Sequence, residues 1–287
     1  MPRDPASARD VWRRLEPVHS VIYFAPEAIG ALTALGFKGF WMGYFAGRAA
    51  PLGAVGPELV GALFYNFTPR RVAGALPAAW SIAGPDAALA ARADGAGAAL
   101  QRALADVDPA TIAEAAELAA TAARTAIPDG RALYAANAAL PWPTEPLDVL
   151  WHAATLLREH RGDGHFALLT ASGLSGRECN VFQSAAGNVP RAMMERARDY
   201  DDEEWQTVLD HLAVRGLVTA NGALTDAGVA LRQQLEDRTD ELALAGYVGL
   251  DDDALARLTE LLTPIAAAVV ATGDIPAATP MGPTLGT

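Results

Sequence analysis

The chain has 287 residues, half of them hydrophobic, and its 34 Asp and Glu outnumber 22 Lys and Arg for a formal charge of −12. That length holds one large or two ordinary domains with a real core. The apolar excess is alanine rather than aromatic, which suits packed helices and excludes a disordered or fibrous chain, and the acidic balance weighs against a polyanionic partner.

Residues 10–16 read as a short amphipathic helix ended by Pro17. Pro26 and Glu27 sit where the first turn of a second helix favours them. Residues 39–48 place Trp41, Tyr44, Phe45 and Arg48 at i, i+3, i+4 and i+7 of one helix. Residues 57–67 form another that opens on Pro and Glu, and Thr68-Pro69 caps a helix over 70–80. Residues 85–125 are alanine-rich and helical by propensity, broken in two at Asp108-Pro109. The pattern then dissolves over 127–146, with three prolines in its last motif, and this is the expected boundary. A helix over 147–161 leads to Gly162-Asp163-Gly164-His165, which reads as a turn. Helices follow over 175–186, 190–198 and 202–215. Gly216 stands where a helix C-cap wants it, 219–225 reads as a tight hairpin around Asn221-Gly222, and Asp226 opens a closing helix.

Helix, Arg215-Gly216-Leu217-Val218, hairpin, Leu224-Thr225-Asp226-Ala227-Gly228 and a long helix bearing Leu231-Arg232 is the order of a winged helix-turn-helix. On those residues the stretch 173–235 resembles the MarR-type winged-helix regulators. The whole chain resembles an actinobacterial family labelled helix-turn-helix or MarR-like. The resemblance implies a fold and leaves function open.

The halves echo each other weakly. Trp41 and Arg48 match Trp151 and Arg158 in spacing, and Thr68-Pro69-Arg70 answers Val189-Pro190-Arg191. The expected fold is therefore mainly α, with tandem winged-helix-like halves forming a MarR-type pseudo-dimer and one small β-hairpin wing. Its expected parts are a degenerate winged-helix-like half at 1–126, a linker at 127–146, a winged-helix half at 147–271 and a tail at 272–287. The resemblance implies a ligand site between dimerisation helices and winged helices, which here is the interface of the halves.

A recognition helix brings basic or amide side chains to the major groove. Here its first turn is Asp201-Asp202-Glu203-Glu204, and the hairpin carries no Lys or Arg. Six arginines face nine acids over 173–235. An acidic first turn suits the helix dipole, but it repels DNA, so DNA is a disfavoured partner.

The densest polar cluster runs from Arg158 to His165. Glu159, His160 and His165 are the candidate catalytic groups, for acid–base or metal chemistry; as a structural feature, Arg and His at a helix end merely complement its dipole. No metal-binding spacing, nucleophile elbow or glycine-rich nucleotide loop accompanies them, so no metal site is assigned and the cofactor stays unknown. Trp41, Tyr44, Phe45 and Arg48, with Trp151, His152, Thr155, Arg158 and Arg161, are the candidate ligand-binding residues. An aromatic stripe is more often core, but a buried arginine at its end needs a partner. Two guanidiniums beside aromatic walls suit an organic carboxylate or phosphate. His19, Tyr23, Tyr65 and Trp142 are weaker additions, and His211 reads as surface.

Cys179, the single cysteine, reads as an inert buried thiol, and Lys38 is the single lysine. The first residues lack a signal peptide's apolar stretch and no run of about 18 apolar residues occurs, so the expectation is a soluble, cytoplasmic protein without a membrane partner. The sequence thus points to a small-molecule-binding protein, on a scaffold that has lost ordinary DNA binding. A DNA-binding MarR-like regulator and an enzyme using the His/Glu/Arg cluster stand as alternatives, and both catalysis and oligomerisation are left open.

Overall fold

The computed structural model describes residues 3–279 and 282–283; the rest of the expected tail over 272–287 lies outside the described residues. α1 (Ala6–Phe24), α2 (Pro26–Ala34) and α3 (Gly39–Ala49) lead into the short α4 (Pro57–Phe64) and α5 (Pro69–Ala73). α6 (Pro85–Ala103), α7 (Pro109–Thr125) and α8 (Ala132–Ala138) come next, then the long α9 (Pro146–Ala171). α10 (Gly176–Ala185), α11 (Arg191–Arg198), α12 (Asp202–Val214), α13 (Asp226–Ala243) and α14 (Asp252–Ala271) complete the order. Proline opens α2, α4, α5, α6, α7 and α9, where its missing N–H is no loss. Ser175 and Glu178 form a capping box on α10, and Asp201, Thr225 and Asp251 cap α12, α13 and α14. Each cap satisfies a backbone donor that the first turn leaves open.

The main departure from the sequence reading lies in α9, which runs 26 residues straight through the expected turn at 162–165. Two glycines inside a helix cost about 1 kcal/mol each relative to alanine. Tertiary contacts outweigh that cost. The backbone N–H of Tyr134 donates to Asp163 Oδ2 at 3.0 Å, and the Arg131 guanidinium lies against Gly164 while donating to the carbonyls of His160 and Leu242. A methyl group on residue 164 would stand 2.5 Å from Arg131 Nη1. The "turn" is therefore a notch in a helix, cut to admit a guanidinium.

α9 is the spine of the molecule. It packs against α1, α7, α8 and α13, while α14 packs on α1 and α7, and α6 on α2. α7 buries Ala115, Ala116, Ala119, Ala122 and Ala123, and these small side chains let helix axes approach closely. One apolar core thereby draws on both sides of 127–146, with Leu15, Leu100, Leu150, Leu156, Leu258 and Ile265 in it. A second gathers Phe45, Phe64, Leu76 and Leu133, and a third gathers Met194, Trp205, Leu212 and Leu235. α14 is long and apolar enough to cross a membrane, but it spends Leu255, Leu258, Leu262, Ile265 and Val269 on the core.

The chain is mainly α, as expected, but the β-hairpin wing and the winged-helix halves built on it are not formed. Between Gly216 and the Thr225 cap no strand exists; a single bridge joins Val218 and Leu224. The Asn221-Gly222 turn itself is made, with Gly222 at φ +82° and its N–H on the Thr219 carbonyl. Its arms are short. The C-terminal turn of α12 takes the chain up to Gly216 and α13 starts after Thr225, so pairing is limited to that bridge and its flanking bonds, from Thr225 N–H to the Leu217 carbonyl and from Thr219 N–H to the Ala223 carbonyl. The first half has no wing either, and the strands among the described residues are two-residue pieces, Ala278–Thr279 and Gly282–Pro283.

Smaller departures have equally local causes. α1 extends through Pro17. The 57–67 helix stops at Phe64, because Tyr65 takes φ +62°, and the 70–80 helix breaks after Ala73 ahead of Pro77, which cannot continue it.

α10 is seated on the corner after α4: a Cβ on residue 176 would lie 1.9 Å from the Tyr65 carbonyl oxygen. Gly176→Ala should therefore destabilise the protein by about 1–3 kcal/mol, although alanine is the better helix former. Urea unfolding checks this; an unchanged midpoint would show that α10 does not rest on that corner.

Candidate functional site

Arg48 ends the aromatic stripe of α3, and Glu159 lies midway along α9; both are buried, at 6% and 2% exposure. Their side chains meet in a two-pronged ion pair, Nε to Oε1 and Nη2 to Oε2, each at 3.0 Å. Arg158 adds a second cation, its Nη1 3.0 Å from Glu159 Oε2 and its Nε 3.7 Å from Glu16 Oε2. Tyr44 accepts a hydrogen bond from Arg48 Nη1 at 3.2 Å. Burial alone would raise the Glu159 pKa, but the two guanidiniums outweigh it and hold the carboxyl well below its usual range. Glu159 is a counter-ion, and the arginine stripe obtains the partner its burial demands.

Beyond this pair opens a cavity of about 190 Å³, where α10, α11 and α13 meet α1, α3 and α9. Four arginines line it: Arg48, Arg158, Arg161 and Arg198. Three lie over aromatic rings that share the wall: Arg48 over Phe64 at 4.1 Å, Arg161 over Trp12 at 4.7 Å and Arg198 over Phe67 at 4.2 Å. Arg161 is paired with Asp240 at 2.7 Å, and Asp240 is shared with Arg9. Arg198 differs from the other three. It is 6% exposed, its Nη1 reaches only the adjacent Ala197 carbonyl at 3.3 Å, and its buried Nε has no partner among the described residues. No carboxylate stands against it, and burial lowers its pKa to about 10. An unpaired buried guanidinium is costly, and a ligand anion would relieve it.

The predicted residues divide among several places. Tyr44, Arg48, Arg158, Arg161 and His165 line the cavity. Thr155 lies behind it, bonded to His19, which in turn meets Tyr23. Trp41 and Phe45 are packing for the second core, and the Arg71 guanidinium lies over the Trp41 ring. Trp151 joins Tyr44, Arg48, Thr155 and Glu159 around a smaller cavity of about 40 Å³, and with His152 and Trp142 it also lines a separate groove. The three candidate catalytic groups are not brought together. His160 points to the other side of α9, with its Nε2 at 3.1 Å from the Ile127 carbonyl and its ring edge-on to Tyr134. His165 meets Thr239 at 2.9 Å, and Glu159 is committed to its arginines. Tyr65 stacks on Phe166 and donates to the Leu174 carbonyl, and His211 is exposed. Cys179 is buried at the cavity wall with its thiol pushed up to about 12, chiefly by burial.

Arg198 and the rings of Trp12, Phe64, Phe67 and Phe166 escaped the sequence reading. One signal was available: Arg198 lies four residues after the fully buried Met194, on the inward face of α11.

On the surface expected to meet DNA three arginines are neutralised by acids, while Arg196 is exposed with no ion pair among the described residues. Arg191 is held by Glu195 and Asp202 at 2.5 Å each, Arg177 by Glu204 at 2.6 Å, and Arg215 by Glu178 at 3.2 Å. A sequence profile described as a helix-turn-helix family matches residues 8–276. No curated protein and no solved structure matches the chain.

Burial fixes the acid response. His19, His152, His160 and His165 all have lowered pKa values, first through burial, with His152 at about 4 and His160 at about 3. They stay neutral in the fold and charge in the unfolded chain, so stability falls as pH drops below about 6.5. Asp163, raised to about 6 mainly by burial, works the opposite way, because the fold keeps its proton where the unfolded chain has lost it. Asp163→Asn should therefore steepen the fall in melting temperature between about pH 6 and 4. A profile shallower than wild type would overturn this assignment.

Proposed function

The chain belongs to a helix-turn-helix family, and from that premise we propose that it binds a small organic anion carrying an aromatic ring in the arginine-lined cavity. The observation that carries the reading is Arg198, a buried cation with no carboxylate in a wall where the other guanidiniums are paired. A ligand carboxylate can take the vacant donors in a charge-assisted bond. Its ring can lie among Tyr44, Phe64, Phe67 and Phe166, and a dry cavity of about 150 Å³ is enough for benzene. The ligand would touch both the α1–α3–α9 framework and α11, the first helix of the helix-turn-helix pair.

Family membership favours a second reading, sequence-specific DNA binding through α12. The local charges argue against it, since Asp202, Glu203 and Asp210 remain on the exposed face and Arg177, Arg191 and Arg215 are held by acids, which leaves Arg196 as the exposed arginine there without an ion pair among the described residues. Catalysis finds less support, because no titratable pair is poised beside an open position in the cavity.

Titration calorimetry with phenylacetate should give saturable binding. Arg198→Gln should weaken it by about 1.5–3 kcal/mol, roughly 10- to 100-fold, with little change in melting temperature of the free protein. Equal affinity in the variant would remove the site from this cavity. An electrophoretic shift against the upstream region of its own gene at near-physiological salt should show no specific complex, and salt-sensitive specific binding would establish the regulator instead.

A further inference from the structure

A second open site lies about the junction of α6, α8 and α9, and it shares no lining residue with the arginine cavity. It is a groove of about 630 Å³ between one face of α6, the loop Leu140–Pro143 and the first turns of α9. Its polar side chains are notable for what they do not touch. Trp151 and His152 are each 5% exposed, yet Trp151 Nε1 and His152 Nε2 have no hydrogen-bond partner among the described residues. Asp94, Asp148 and Gln101 line the same groove, and no hydrogen bond or ion pair holds any of the three side chains. Asp94 and Gln101 are exposed and Asp148 is half-buried, whereas the deeply buried Glu159 and Asp240 are paired with arginine.

We propose that this groove binds an organic ammonium compound, its cation held between Asp94 and Asp148 and its hydrogen-bonding body against Trp151, His152 and the wall of Trp142. The acids set the charge of the ligand. Asp148 lies close to α6, where a Cβ on residue 97 would be 3.0 Å from its Oδ1, and it is half-buried. Burial and the neighbouring Glu145 and Asp94 raise its pKa, the response of a carboxyl that lacks a cation. The basic groups in reach are otherwise engaged. Arg92, which also lines the groove with its guanidinium 5.3 Å over the Trp151 ring, donates to the Gly47 carbonyl at 3.0 Å and to Asn137 Oδ1 at 2.8 Å. Arg124 lies over the Trp142 ring at 4.1 Å. The interior wall supplies two unused nitrogen sites: the indole N–H donates, and the imidazole, kept neutral, can donate or accept.

The probe is phenethylamine, with phenylacetate as its counterpart of opposite charge, and the readout is the indole N–H resonances of the full-length protein. Phenethylamine should shift the Trp151 and Trp142 indole signals saturably, and Asp94→Asn/Asp148→Asn should weaken that response tenfold or more. Both positions lie at the groove's outer edge, so the double variant should keep the wild-type melting temperature, and phenylacetate should leave the two signals in place. The proposal fails if no shift appears up to about 10 mM, the weak end of fragment binding, if the double variant responds as wild type, or if the anion produces the same shifts. Arg198→Gln should leave the amine response untouched, so failure of either site is separable from failure of the other.

Discussion

A buried carboxylate clamped by two guanidiniums sets the terms for the whole molecule. Glu159 joins α9 to Arg48 of α3, 111 residues earlier in the chain, and binds its own neighbour Arg158 as well. Breaking such a pair by removing one member commonly costs about 3–5 kcal/mol, since the other charge stays buried. The pair therefore fixes α3 and α9 in one register. From that register the rest follows by helical spacing: Arg158 and Arg161 enter the cavity wall, and His165 arrives one turn on. None of this survives a helix that ends at residue 161, so the two glycines and the Arg131 notch serve the same geometry.

The use of arginine explains how an acidic protein can still present a cationic cavity. Arg177, Arg191 and Arg215 near the helix-turn-helix surface are neutralised by Asp and Glu beside them, while Arg198, with no carboxylate partner among the described residues, is turned inward on α11. A net charge of −12 describes the exterior and says little about the field inside a cavity lined by four guanidiniums. The same logic, with the signs reversed, holds at the groove on α6, where unpaired carboxylates stand against a wall of indole and imidazole.

Much of the fold was legible in the sequence because it is written locally. Proline at the starts of α2, α4 and α5, the acidic first turn of α12 and the α3 stripe each act within a few residues, and each was read as a helix signal, whereas the Ser175–Glu178 box and the Thr225 cap were not. What failed was decided at long range. Gly162-Asp163-Gly164 has the composition of a turn and becomes helix because Tyr134 and Arg131 meet it from α8 and its approach. Asn221-Gly222 turns as expected, but strand formation depended on the lengths claimed by the flanking helices. The cavity residues show the same divide: Arg48 was legible from its stripe, whereas His152 shares a helix with Arg158 and still opens on another face. His160 and Glu159 are adjacent in sequence and lie back to back across α9.

The corner between α11 and α12 carries one more implication. Asp199 takes a left-handed conformation there, at φ +64°, and its carboxylate is gripped by Arg70 and Arg71 of α5, at 3.1 and 2.6 Å. Arg177 holds the backbone of the same corner from inside, donating to the carbonyls of Arg198 and Asp199. Helix-turn-helix units are often treated as portable parts, excised or grafted between proteins as self-sufficient cassettes. Here the cassette borrows a clamp from a segment more than a hundred residues upstream. Cut away from α5, it would lose the outer brace of its central bend and expose the Asn66 and Phe67 side of its own floor.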